Sequence, residues 1–141
     1  MLIKEKINIY WFFSVLYAGI IFFLSSDPLP TEMPSFTFSD KIAHFIQFGI
    51  LASFIYLAFR DINTSKNKRV ALAFIIALLY GVSLEIHQYF IPGRSADILD
   101  VLTNGIGAFC FLLIMTTLRR QPPSFDNYGG PRETEYSTQN E

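Results

Sequence analysis

At 141 residues the chain has the length of one domain. It is 51% hydrophobic, holds 15 Phe and carries only 16% charged residues, against about 25% in a soluble globular domain. A net charge of -1, with no Lys/Arg stripe interleaved with aromatics, excludes a nucleic-acid partner, and the single cysteine, Cys110, excludes an internal disulfide or a CxxC site.

The apolar residues fall into blocks, as membrane spans do. The first block runs from about Ile7 to Leu24 without a charge. Lys4 and Lys6 precede it, but its apolar core is longer than the roughly 7–15 residues of a signal peptide and no small-x-small cleavage site follows, so a retained anchor is expected. The connection "SDPLPTEMPSFTFSDK" contains Pro28, Pro30 and Pro34, which discourage a long helix, and Phe36 and Phe38, which alternate with polar residues and can dip toward headgroups. The second block runs from about Ile42 to Phe59. The short basic connection "RDINTSKNKR" then predicts an antiparallel third helix, from about Val70 to Phe90. "IPGR" reads as a turn, because Pro92 fixes one dihedral and Gly93 tolerates a left-handed one. The fourth block runs from about Ile98 to Leu118.

Each block is near the length a helix needs to cross about 30 Å of hydrocarbon. The blocks lack the polar stripe that each helix of a water-soluble bundle repeats. The predicted fold is therefore an all-α integral membrane protein with four transmembrane helices over residues 1–120. Residues 121–141, polar and rich in Pro and Gly, read as a disordered cytoplasmic tail. With the N-terminus inside, the cytoplasmic face receives Lys4, Lys6, Arg60, Lys66, Lys68, Arg69, Arg119 and Arg120, and the outer face only Lys41 and Arg94. The positive-inside bias predicts an N-in/C-in topology.

This topology gathers the unusual side chains at one leaflet. Asp40, His44 and Gln47 share a face at the outer end of the second helix, and Asp97, Asp100 and Asn104 share one on the fourth. Glu85 and Gln88 end the third helix, Arg94 sits in the turn, and His87 is expected to point elsewhere. Ionised groups at a helix centre cost about 2.5–3.5 kcal/mol each on insertion scales, and less near the interface. A structural pairing of Glu85 or Asp100 with Arg94 would account for part of the cluster without chemistry. Small residues, Gly49, Ala52 and Ser53 on the second helix and Gly105 and Gly107 on the fourth, permit close packing.

Three stretches, "FFLSSDPLP", "DKIAHFIQFGIL" and "SLEIHQYFIPGRSADILDVLTNGIGA", resemble the VanZ family. The match is carried by Asp40-Lys41-x-x-His44-Phe45, by Glu85-x-x-Gln88-x-Phe90-x-Pro92-x-Arg94 and by Asp97-x-x-Asp100-x-x-x-Asn104-x-x-Gly107. The resemblance implies a small multi-pass protein of the bacterial cytoplasmic membrane and a role in the cell envelope. It also brings an association with resistance to the glycopeptide teicoplanin.

The expected function is binding, with modification open to the same pocket, of a lipid-linked or anionic envelope substrate. His44 or Glu85 would move a proton, and Asp97 or Asp100 would orient the reacting groups. Lys41 and Arg94 would hold an anion, and Gln88 and Asn104 would add neutral hydrogen bonds. The alternative is a non-catalytic accessory protein that holds a lipid headgroup or a partner protein. No zinc-protease, nucleophile-elbow, P-loop or dinucleotide motif is present; His44 with several carboxylates is a set that a divalent cation could use, but the spacing fixes no metal geometry, so the expectation is no cofactor or metal. Transport by a single copy is disfavoured because the inner halves are apolar, and a homo-oligomer would be needed to complete a pathway.

Overall fold

A computed structural model describes residues 9–27 and 38–118. Four long helices account for nearly all of them: α1, Ile9–Ser26; α2, Phe38–Ala58; α3, Lys66–Gln88; and α4, Ile98–Leu118. All four are long and apolar enough to cross a membrane. Lys4, Lys6, Pro28, Pro30, Pro34, Phe36, Arg119, Arg120 and the tail at 121–141 lie outside the described residues.

The helix ends follow local chemistry. α4 has the expected bounds, whereas α2 and α3 each begin four residues before the apolar block. Helix α2 takes in Asp40, whose charge suits the positive end of a helix dipole. Helix α3 begins early because Ser65 caps it, its hydroxyl accepting the Lys68 N–H at 3.4 Å. It ends at Gln88, two residues before the expected Phe90, in a turn that leads to Pro92. In that turn the Arg94 N–H donates to the Ile91 carbonyl at 3.1 Å and Gly93 has φ 80°, which is a type II turn with Pro92 and Gly93 in its central positions.

Helix α2 is the hub, packing on the other three, and its most extensive contact is with α4. These two run parallel and pack directly on each other, whereas α1 and α4 lie on opposite sides of the bundle. Glycine allows the approach. A Cβ on Gly107 would overlap the backbone of Phe45, and one on Gly49 would overlap the Phe111 ring. The register then advances in step along both helices: Lys41 meets Asp97 and Asp100, His44 meets Asn104, and Phe45 meets Gly107. Gly105, by contrast, faces the side chain of Leu78 rather than a backbone.

The core lies along these contacts and includes Phe48, Leu51, Ala52, Ile55, Tyr56, Ala108 and Leu112. Helix α3 contributes a buried stripe at helical spacing, Ala73, Ala77 and Gly81, which changes from apolar to polar as it continues into Leu84, Glu85 and Gln88. Large apolar side chains such as Val15, Phe23, Leu79, Ile106 and Phe109 point outward. That arrangement suits a bundle surrounded by hydrocarbon rather than water.

Candidate functional site

Alternating helix directions bring the C-terminal ends of α1 and α3 to the N-terminal ends of α2 and α4. Asp97 caps α4: its Oδ1 accepts the Leu99 N–H at 2.8 Å. The Asp97 N–H in turn donates to Glu85 Oε2 at 3.0 Å, so the last turn of α3 holds the first residue before α4. Lys41 Nζ donates to Asp97 Oδ2 at 2.7 Å and also to Asp100 Oδ1, tying α2 to both. The ammonium group beside it, helped by the Leu99 amide, holds the Asp97 carboxyl below the usual carboxylate range.

His44 lies one helical turn beyond Lys41. Its Nδ1–H donates to Asn104 Oδ1 at 3.0 Å, and Asn104 is wholly buried against Gly81, where a side chain would crowd it. That bond leaves Nε2 facing two carboxylates, Asp100 Oδ2 at 3.9 Å and Asp40 Oδ1 at 4.0 Å. Asp40, His44 and Asp100 each present one possible ligand atom, all within 4.8 Å of one another. Two buried atoms beside them, Glu85 Oε1 and Asn104 Nδ2, have no hydrogen-bond partner among the described residues.

A pocket of about 100 Å³ opens next to this cluster. Its polar lining is Ser25, Asp40, His44, Gln47, Gln88 and Arg94, and Ile21, Leu24, Ala43, Phe48 and Leu84 supply an apolar wall. Arg94 reaches across to α1, where Nε donates to the Asp27 carbonyl at 2.9 Å and one Nη to that of Leu24 at 3.4 Å. It thereby satisfies carbonyls at the end of that helix.

A family model for VanZ/LLP1 matches residues 8–119, a range that holds all of these side chains. The chain belongs to the VanZ/LLP1 family. It is accordingly a multi-pass membrane protein of the cell envelope. Searches of curated proteins and of solved structures returned no match.

In this VanZ/LLP1 chain the eight side chains singled out from sequence, Lys41, His44, Glu85, Gln88, Arg94, Asp97, Asp100 and Asn104, all lie at one end of the bundle. They divide into two neighbouring groups. Lys41, Glu85, Asp97 and Asp100 form a clamp between helices, Gln88 and Arg94 line the pocket, and His44 and its partner Asn104 join the two. Among the described residues, Asp97 and Asp100 take their ion pairs from Lys41 rather than Arg94. The reason is register: Lys41 lies opposite the start of α4, whereas Arg94 faces α1. His87 points away as expected, stacking on Phe22 at 4.7 Å between ring centroids with Nε2 3.1 Å from the Ser26 hydroxyl. The contribution of α1 to the pocket, Ile21, Leu24 and Ser25, was signalled in the sequence only by the stretch "FFLSSDPLP" of the family resemblance, which says nothing of a pocket.

Proposed function

We propose that this VanZ/LLP1 chain binds the headgroup of an anionic or lipid-linked envelope molecule at the outer leaflet of the bacterial cytoplasmic membrane. The observation that carries the reading is the lining of the pocket. A guanidinium, two amides, a carboxylate and an imidazole stand beside an apolar wall that would accept the first part of a hydrocarbon chain. Arg94 is suited to phosphate by its planar fork, and Gln47 and Gln88 add neutral hydrogen bonds. The orientation is supported by Arg60, Lys66, Lys68 and Arg69, which lie in or beside the α2–α3 connection at the end opposite the pocket.

Proton transfer is the chemistry available to such a site, through Nε2 of His44 beside Asp40 and Asp100. In this reading Lys41, Glu85 and Asp97 position the helices and Asn104 sets the tautomer of His44. A purely structural reading is favoured by one observation, the two ion-paired hydrogen bonds of Lys41 to Asp97 and Asp100, and it predicts no lipid dependence on Arg94 or Gln88. The test is incubation of the purified protein in nanodiscs with extracted bacterial envelope lipids, with retained and altered species read by mass spectrometry. An anionic lipid retained by the wild type and reduced about tenfold or more by Arg94→Ala or Gln88→Ala is expected. A time-dependent mass change lost in His44→Ala would make the protein an enzyme. Equal lipid retention by the wild type and an Arg94→Ala/Gln88→Ala double variant would refute the pocket reading.

A further inference from the structure

The carboxylates at this end outnumber the cations. Asp40, Glu85, Asp97 and Asp100 are four acids, and Lys41 and Arg94 are the two permanent cations beside them, so with His44 neutral the cluster carries an excess of two negative charges when ionised. Glu85 and Asp100 are almost fully buried, at 4% and 6% exposure. Uncompensated charge in such a place is expensive.

The geometry around His44 points the same way. Its Nε2 stands 3.9 Å from Asp100 and 4.0 Å from Asp40, too far for hydrogen bonds. Two metal–ligand bonds of about 2.0–2.2 Å meeting at a tetrahedral angle set their ligand atoms roughly 3.3–3.6 Å apart, so the three side chains would draw together around one cation. The other ring nitrogen donates to the buried Asn104 Oδ1, the arrangement that commonly orients a metal-ligating histidine. A further, independent sign is Glu85 Oε1, buried without a hydrogen-bond partner among the described residues, on a carboxylate within electrostatic reach of both His44 and Asp100.

We propose that Asp40, His44 and Asp100 form a site for a divalent transition-metal cation, Zn²⁺ or Mn²⁺, on the wall of the pocket. One imidazole with two carboxylates suits these ions. Three protein ligands leave a position open, and because Asp40 and His44 also line the pocket, that position is available to water or to an anionic oxygen of a bound molecule. The last clause rests on the headgroup reading, but the metal site does not.

Metal binding is therefore measured without envelope lipid. The full chain is stripped with chelator, placed in nanodiscs of phosphatidylcholine alone, and equilibrated separately with Zn²⁺ and Mn²⁺. Bound metal is counted by mass spectrometry, and the coordination shell is read by X-ray absorption. One ion per chain is expected, with one nitrogen ligand and the rest oxygen. Affinity is expected to fall at least about tenfold in His44→Ala and in Asp40→Asn, and about 10–100-fold in Asn104→Ala through loss of the orienting bond. His87→Ala, whose ring lies against α1, is expected to bind as the wild type does. No saturable binding of either ion, a shell without nitrogen, or affinity unchanged in both Asp40→Asn and His44→Ala would overturn the site. Asp40 is half-exposed, so its variant tests the site even where His44→Ala fails to fold. Metal binding without lipid retention would leave this site standing and reject the headgroup reading, and the reverse result would reject the site alone.

Discussion

Lys41 shows how one side chain can settle the roles of its neighbours. In the sequence it is one of two outer-face cations, with Arg94, and both suit an anionic ligand. In the fold it is held between Asp97 and Asp100, which makes it the clamp between α2 and α4. Lys41→Met is expected to destabilise the protein by about 2 kcal/mol, less than the roughly 3–5 kcal/mol for a fully buried pair because Asp97 remains 23% exposed. Denaturation in mixed micelles checks this. The pH dependence has a defined sign. The folded Asp97 carboxyl titrates below its unfolded value, so its stabilisation is complete above about pH 3.9 and is lost as pH falls through the folded value. The melting temperature of the wild type is expected to drop in that acid window, and that of Lys41→Met to drop less. The spacing of Asp97, Asp100 and Asn104 revealed their common face. It could not reveal the partner of each, because a face says nothing of register against another helix.

At the scale of the helix, the four elements were legible because their apolar blocks match the thickness of a bilayer. The starts of α2 and α3 were displaced because capping and dipole chemistry extend a helix into polar sequence, as at Ser65 and Asp40. The direct packing of α2 on α4 was only half visible. Gly107 signalled a close approach, but glycine alone does not say which helix approaches. Gly107→Ala is the sharpest test of that packing. Its methyl group would overlap the Phe45 backbone, which cannot rotate aside. A loss of about 2 kcal/mol or more is expected from this overpacking, with the His44–Asn104 contact disturbed one turn away. Gly105→Ala, near only a leucine methyl group, is expected to fold as the wild type does. Thermal melts of the two variants side by side check this, and equal stability would contradict the close crossing.

For the whole molecule, the charge pattern and the polar cluster agree on a single asymmetric arrangement, polar at one end and basic at the other. The gathering of these residues at one end was legible because hydrocarbon makes each polar side chain in a span conspicuous. Its division into clamp and pocket was not, since that depends on which end of α1 closes over it, and α1 offers little polar sequence there. The central claim is that the pocket is a water-accessible chamber on the outer side of the membrane. Gln47 lines it and is partly exposed, so Gln47→Cys places a reporter inside. The native thiol, Cys110, is first removed as Cys110→Ala. Intact cells are then treated with a membrane-impermeant methanethiosulfonate reagent, with Ser65→Cys in the basic connection as the inner-face control. Modification of Gln47→Cys in intact cells, with Ser65→Cys modified only after the membrane is opened, is the expected result. Modification of Gln47→Cys only after opening the membrane, or not at all, would contradict an outward-facing chamber.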